Sequence, residues 1–243
     1  MFPLLSKEIS SFLSSLIGYI VIIVFLAINS LFLWVFDNDF NIISSGYASL
    51  DGLFMIAPFV FLFLIPAITM RLFADEKKSG TIELLLTKPI SDLQIILSKY
   101  FAGLFLVIFS LLPTLIYFAS VYFLGYPKGN IDVGAAWGSY IGLLFLGAAF
   151  VAIGLFCSTL TDKQVLAFVL SVFLCGFMYI GFEFIYSLDV FGKIDLLIQS
   201  IGINAHYISI SRGVIDTRDI IYFFSLIIFF ILLSKISLEK RKW

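Results

Sequence analysis

Histidine occurs once and cysteine twice in the 243 residues, and only 13 % of the side chains are charged. So few soft ligands exclude a His/Cys metal protein, and two cysteines exclude a secreted disulfide scaffold. Soluble domains carry about 25 % charged residues and are about 45–50 % apolar. The low charge here excludes a soluble globular enzyme and a disordered chain. No G-x-x-x-x-G-K-[ST] stretch occurs, so no P-loop nucleotide site is expected in the chain itself. One histidine and no Asp-rich D-D-x-x-D run leave a membrane enzyme without a nucleophile–base pair or a metal cluster. Nucleic acid is not an expected partner.

What the chain has is hydrophobicity. Hydrophobic residues make up 61 % of it, including 29 Phe, 11 Tyr and 3 Trp. The mean hydropathy is +1.11. Together these describe an integral membrane protein. A helix needs about 20 mostly apolar residues to cross a bilayer, at about 1.5 Å per residue over about 30 Å. Six runs qualify: Leu16–Phe36, Leu53–Leu72, Tyr100–Leu124, Trp137–Ser158, Val165–Ser187 and Ile220–Ser237. No ten-residue alternating pattern repeats, which argues against a β-barrel. The first run is too long for a signal-peptide core and lacks a small-x-small cleavage site, so it is expected to remain as a span. The expected fold is all-α, one membrane domain over 1–243 with six spans.

Lysine and arginine set the orientation. Eleven fall on one side of this topology (Lys7, Arg71, Lys77, Lys78, Lys88, Lys99, Lys163, Lys235, Lys240, Arg241, Lys242). Four fall on the other (Lys128, Lys193, Arg212, Arg218). Both termini are therefore expected in the cytoplasm. The loop Asp37–Gly52 has no Lys or Arg, as an outer loop should.

The cytoplasmic pieces carry pattern. In Phe2–Ser15, Phe2, Leu5, Ile9, Phe12 and Leu13 recur at helical spacing, with Lys7, Glu8, Ser11 and Ser14 between them. An amphipathic interfacial helix fits, with Glu8 on its polar face; so does an irregular terminus. After span two comes R-L-F-A-D-E-K-K-S-G-T-I-E-L-L-L-T-K-P-I-S-D-L-Q. Asp75–Lys78 is a charge cluster, Ser79-Gly80 a breaker, and Thr81–Thr87 a short helix stopped by Pro89. Ser91 and Gln94 form a capping box that starts the next helix. Thr161 and Gln164 have the same spacing between spans four and five, where a tight connection and a second docking turn are both open.

The loop resembles the cytoplasmic signature of type-2 ABC exporter permeases, E-x-x-x-G-T-x-E-x-L-L-x-x-P-[IV] before a helix ending in Lys. Glu76, Gly80, Thr81, Glu83, Leu85, Leu86, Pro89, Ile90 and Lys99 match it. Ser98 stands where the family often has Gly. As a whole the chain is similar to the permeases of gliding-motility ABC transporters. The resemblance implies a six-span permease of a bacterial inner membrane that pairs with a second copy or a related membrane subunit. It also implies a separate cytoplasmic ABC ATPase, which uses ATP and Mg, and no cofactor bound to this chain. Coupling would run through Glu76, Gly80, Thr81, Glu83, Leu84, Leu85, Lys88 and Pro89, with Thr161, Asp162, Lys163 and Gln164 as a second coupling turn. Leu84 and Leu85 would fill an apolar groove while Glu83 and Lys88 fix register.

Within the spans, Glu183 is the candidate for a substrate path, because an ionisable group in a span is costly. A place among the outer headgroups is the alternative. Asn29 is a second candidate for that path, and pairing across helices as structural glue is its alternative. Pro58, Pro66 and Pro113 are expected to kink their spans. Gly138 and Gly142 form G-x-x-x-G, which permits a close neighbour in the same chain or in a second subunit. His206 stands without metal-ligand companions, and Cys157 and Cys175 sit at different depths, which argues against a disulfide. Ile194, Leu197, Ile198 and Ile201 recur at helical spacing, and the resemblance implies that such a helix dips back from the outside before the last span. The competing functions are a membrane anchor or assembly scaffold, and a secondary transporter.

Overall fold

Residues 2–86, 90–188, 192 and 195–240 are described in the computed structural model, and among them every regular element is helical. In chain order the helices are α1 (Phe2–Ser14), α2 (Leu16–Ser30), α3 (Asp51–Thr69), α4 (Arg71–Lys78), α5 (Thr81–Leu86), α6 (Asp92–Leu111), α7 (Leu115–Leu124) and α8 (Val133–Leu160). They continue with α9 (Gln164–Gly176), α10 (Phe182–Ser187), α11 (Asp195–Ile201), α12 (Ile203–Ser211) and α13 (Thr217–Glu239). Six continuous stretches are long and apolar enough to span a membrane: Gly18–Val35, Asp51–Lys78, Asp92–Leu124, Val133–Leu160, Gln164–Ser187 and Thr217–Glu239. These are the six expected runs, mostly with longer ends.

Span four (α8) is the axle. Its apolar window is 78 % buried, against 22 % for span five. Helices α13, α3, α12, α9 and α6 all pack on it. At about 1.5 Å per residue its 28 residues reach about 42 Å, longer than the hydrocarbon core. Asp132 caps its start, the carboxylate accepting from the Ala135 N–H at 2.9 Å. Small residues let the neighbours close in. A Cβ on Gly138 would stand 2.7 Å from the Ile210 carbonyl oxygen and 2.8 Å from the Gly213 Cα. The G-x-x-x-G partner is thus α12 of the same chain. Aromatic stacks add lateral ties: Phe25 on Phe61 at 4.9 Å between spans one and two, and Phe145 on Phe223 at 5.5 Å between spans four and six.

Three spans depart from regular α-helix. Span one ends in a π-helical turn, Leu31–Val35, and span five contains another, Phe177–Gly181. Span three tightens to a 3₁₀ turn at Leu112–Thr114, where Pro113 removes a backbone donor. Helix α3 runs unbroken past Pro58 and Pro66 and turns only at Met70.

Before span six, α11 and α12 occupy the segment where one returning helix was expected. Ile203, Tyr207 and Ile210 of α12 are buried. Tyr207 donates to the Phe54 carbonyl at 2.7 Å, and burial pushes its phenol well above the ordinary range, so it stays a donor. Lys193 and Ile194 lie outside the described residues. Cys157 and Cys175 are free and buried.

Candidate functional site

The polar groups of the bundle gather at two opposite ends, named here for Lys99 and Glu183. At the Lys99 end, α4 continues span two and carries the charge cluster away from the apolar core. Ser158 holds the joint. Its hydroxyl accepts from the Phe73 N–H at 2.9 Å and the Ala74 N–H at 3.1 Å, and donates to the Met70 carbonyl at 3.1 Å. These are backbone groups left over where α3 stops and α4 starts. Further along, the Lys77 ammonium donates to the Thr159 carbonyl, and the Gln164 amide donates to the Asp75 carboxylate. Ser237 at the end of α13 donates to the same Thr159 carbonyl at 3.2 Å. Helix α4 is therefore clamped to the ends of spans four and five, and span six is tied to the same Thr159 of span four.

Inside this clamp lies a buried three-charge knot. The Lys99 side chain is 1 % exposed, yet its ammonium reaches Glu76 Oε1 at 2.9 Å and Glu8 Oε1 at 3.1 Å. It also stands 5.2 Å from the centre of the Phe73 ring. Each charge comes from a different element: Glu8 from α1, Glu76 from α4, Lys99 from α6. A cavity of about 260 Å³ adjoins the knot, lined among others by Lys7, Ser11, Arg71 and Asp75. Arg71 pairs with Asp75 one turn on, at 3.3 Å.

This corrects the expectation for α1. Glu8 does not lie on a water-facing stripe; it is buried with Leu4, while Phe2 is exposed. A single lysine in an apolar helix demands counter-charge, and the nearest acids in space are 91 and 23 positions away. The spacing Leu4–Glu8–Phe12, four apart, was the available signal for Glu8.

Beyond α4, Gly80 adopts φ +72°, a left-handed conformation that ends the helix as a β-carbon-free residue readily does. Helix α5 follows. Thr81 and Glu83 are exposed and Ile82 is buried in the main apolar core. The side chains of Leu84 and Leu85, and all of Lys88 and Pro89, lie outside the described residues. Ser91 and Gln94 form the expected capping box at the start of α6. The second expected box does not form. Helix α9 begins after Lys163, which makes no side-chain cap, and the Thr161 hydroxyl accepts from the Lys163 N–H at 3.1 Å. Helix α9 starts at Gln164 with Lys163 as its N-cap, so Thr161 stands two positions too early to cap it. Asp162 and Lys163 are exposed.

At the opposite end, Glu183 is exposed on α10 and accepts from the Asn204 amide at 2.5 Å. Asn29 is not with it. Asn29 is fully buried and donates back to Phe25 of its own helix at 2.8 Å, so the expected cross-helix pair is absent. Ser30 makes it instead, with the Tyr117 hydroxyl at 2.5 Å. His206 bonds to Asp219 at 2.6 Å and stacks on Tyr222 at 3.8 Å. Among the described residues no three His, Cys, Asp or Glu side chains converge as metal ligands do.

A bundle of six spans with a clamped helix–break–helix at one end has a counterpart among known sequences. A sequence model described as "ABC-2 family transporter protein" matches residues 4–233. The chain belongs to the ABC-2 transporter family. It is accordingly the multi-pass membrane permease component of an ABC transporter, and membership implies an ABC ATPase as companion. No curated protein matches the chain.

Proposed function

We propose that this ABC-2 permease takes motion from a separate cytoplasmic ATPase through α4–α5 and delivers it to the spans through the Lys99 knot. The knot is the observation that carries this reading. It joins α4 rigidly to α1 and span three, while Ser158, Thr159 and Gln164 join α4 to spans four and five, with span six tied to Thr159 through Ser237. A push on α5 is thus shared by most of the bundle instead of being absorbed locally. Exposed Thr81 and Glu83 are the contact face. Leu84, Leu85, Lys88 and Pro89 complete it on the sequence pattern alone. The Thr161–Gln164 turn reaches α4 through the Gln164–Asp75 bond, so both docking points move together.

The Lys99 end then faces the cytoplasm of a bacterial inner membrane, in keeping with eleven Lys/Arg on that side against four. Export of the gliding-motility type, with a second copy or a related subunit completing the membrane part, rests on resemblance of the loop and the whole chain. Glu183, far from the knot, is assigned to the substrate path; Asn29, buried and self-bonded, is left out of it.

The test is co-purification of the tagged chain from its native membranes in mild detergent. An ATP-binding subunit should accompany the unaltered chain and be lost with Glu83→Lys plus Leu85→Asp, while the amount of permease in the membrane holds. Absence of any ATPase from the unaltered chain would leave the anchor and secondary-transporter readings standing in place of this one.

A further inference from the structure

The Glu183 end holds a cavity of about 720 Å³ between the start of α3, the π turn of span five and α12. Ligand pockets commonly enclose about 300–1,000 Å³. Aromatic rings form much of its wall, with Phe54, Phe59, Tyr179 and Tyr207 among them. Phe59 and Tyr179 meet edge to face at 6.0 Å. Two carboxylates line the cavity, Asp51 and Glu183, and among the described residues no Lys, Arg or His does.

The two acids differ in meaning. Asp51 stands in the first turn of α3, where the helix dipole favours a carboxylate for local reasons. Glu183 has no such reason. Helix α10 continues directly from the π turn through Gly181 in helical conformation, so no free helix end faces it. The carboxylate accepts from the neutral amide of Asn204, which orients it without neutralising it. The π turn supplies Tyr179 and Ile180 to the same cavity. Such turns are frequent at functional sites, because they re-aim side chains that a regular helix would turn away.

We propose that this cavity binds an amphipathic organic cation, an onium head on an apolar body. The carboxylates supply the counter-charge, and the ring faces accept both the head, by cation–π attraction, and the body. Anions of the same shape are rejected by two like charges with no cation beside them. This rests on reading the chain as a permease with Glu183 on the substrate path. The same chemistry is offered by a free amphipathic amine and by an aminolipid of the bilayer.

The experiment is equilibrium dialysis of tetraphenylphosphonium against the purified full chain in neutral maltoside micelles, with protein-free micelles as background. Saturable binding near one site per chain is expected, uncontested by tetraphenylborate. Glu183→Gln should weaken it about tenfold or more, the size of one lost charge contact of about 1.4 kcal/mol. Glu183→Asp, which keeps the charge, should hold it within about threefold. Asp51→Asn provides a second, independent loss should Glu183→Gln fold poorly. Displacement by phosphatidylethanolamine identifies the lipid as source; displacement by hexadecylamine alone identifies the free amine. No saturable binding, equal binding of tetraphenylborate, or affinity unchanged in both neutral variants would overturn the proposal. Because no ATPase is present, such a failure leaves the coupling reading intact. Failure to capture an ATPase, conversely, leaves this binding result standing.

Discussion

A lysine at 1 % exposure inside a membrane helix persists only with its counter-charges in place. Lys99 has two, and the three groups carry a net charge of one negative. Removing the cation alone leaves Glu8 and Glu76 buried side by side. Lys99→Met should therefore lower the stability of the purified chain by about 3–5 kcal/mol. The triple change Glu8→Gln, Glu76→Gln, Lys99→Met should recover most of that loss, since no charge then remains unpaired. Thermal midpoints in detergent read both, and a triple variant as weak as the single one would show that the ion knot is not what Lys99 provides. Glu76 and Lys99 were legible in the sequence as members of the exporter pattern, but their contact was not. Glu8 was misplaced because a charged residue between apolar ones reads as a polar stripe. The four-residue spacing Leu4–Glu8–Phe12 hints that Glu8 faces inward, but nothing local names the buried lysine in a distant segment that it meets. Asn29 was misread for a related reason: its amide N–H turns back to the Phe25 carbonyl of its own helix, while its Oδ1 stays buried without a hydrogen-bond partner among the described residues.

At the scale of elements, the apolar runs located all six spans, because length and hydropathy are properties of the run itself. The short helices were harder. Helix α12 escaped notice although Ile203, Tyr207 and Ile210 repeat at helical spacing, because the run is too short and too polar to stand out. The π turns of spans one and five have no sequence mark. The G-x-x-x-G of span four announced a close neighbour without naming it, and the structure shows α12. That contact is testable. At Gly138 a methyl group would meet backbone, the Ile210 carbonyl and the Gly213 Cα, neither of which can rotate aside. Gly138→Ala should destabilise by about 1–3 kcal/mol, as overpacking does. At Gly134, one turn earlier, a methyl group would meet only Asp132 Oδ1 at 3.4 Å. Gly134→Ala should be neutral or stabilising, by up to about 1 kcal/mol from helix propensity. Equal behaviour of the two variants in chemical or thermal unfolding would contradict the packing of α12 on span four.

For the whole molecule, the charged groups sit at the two ends of a largely apolar bundle, and the ends differ in kind. The Lys99 end is tied: an ion knot, a serine bridging a helix joint, and bonds from α4 to spans four and five. The Glu183 end is open: a wide aromatic cavity with accessible carboxylates. A rigid collar at one end and a chamber at the other is what a protein needs if force enters at the first and substrate passes the second. The central claim is that an ATPase docks on α5 at the Lys99 end. The most direct measurement places a photo-crosslinking amino acid at position 83 and, in a separate variant, at position 126, where Tyr126 is 96 % exposed at the opposite end. Irradiation of native membranes should join an ATP-binding subunit to position 83, with a yield that changes when nucleotide is trapped, and should give no such adduct at position 126. An ATPase adduct at position 126, or none at position 83 while the ATPase still co-purifies, would contradict the account.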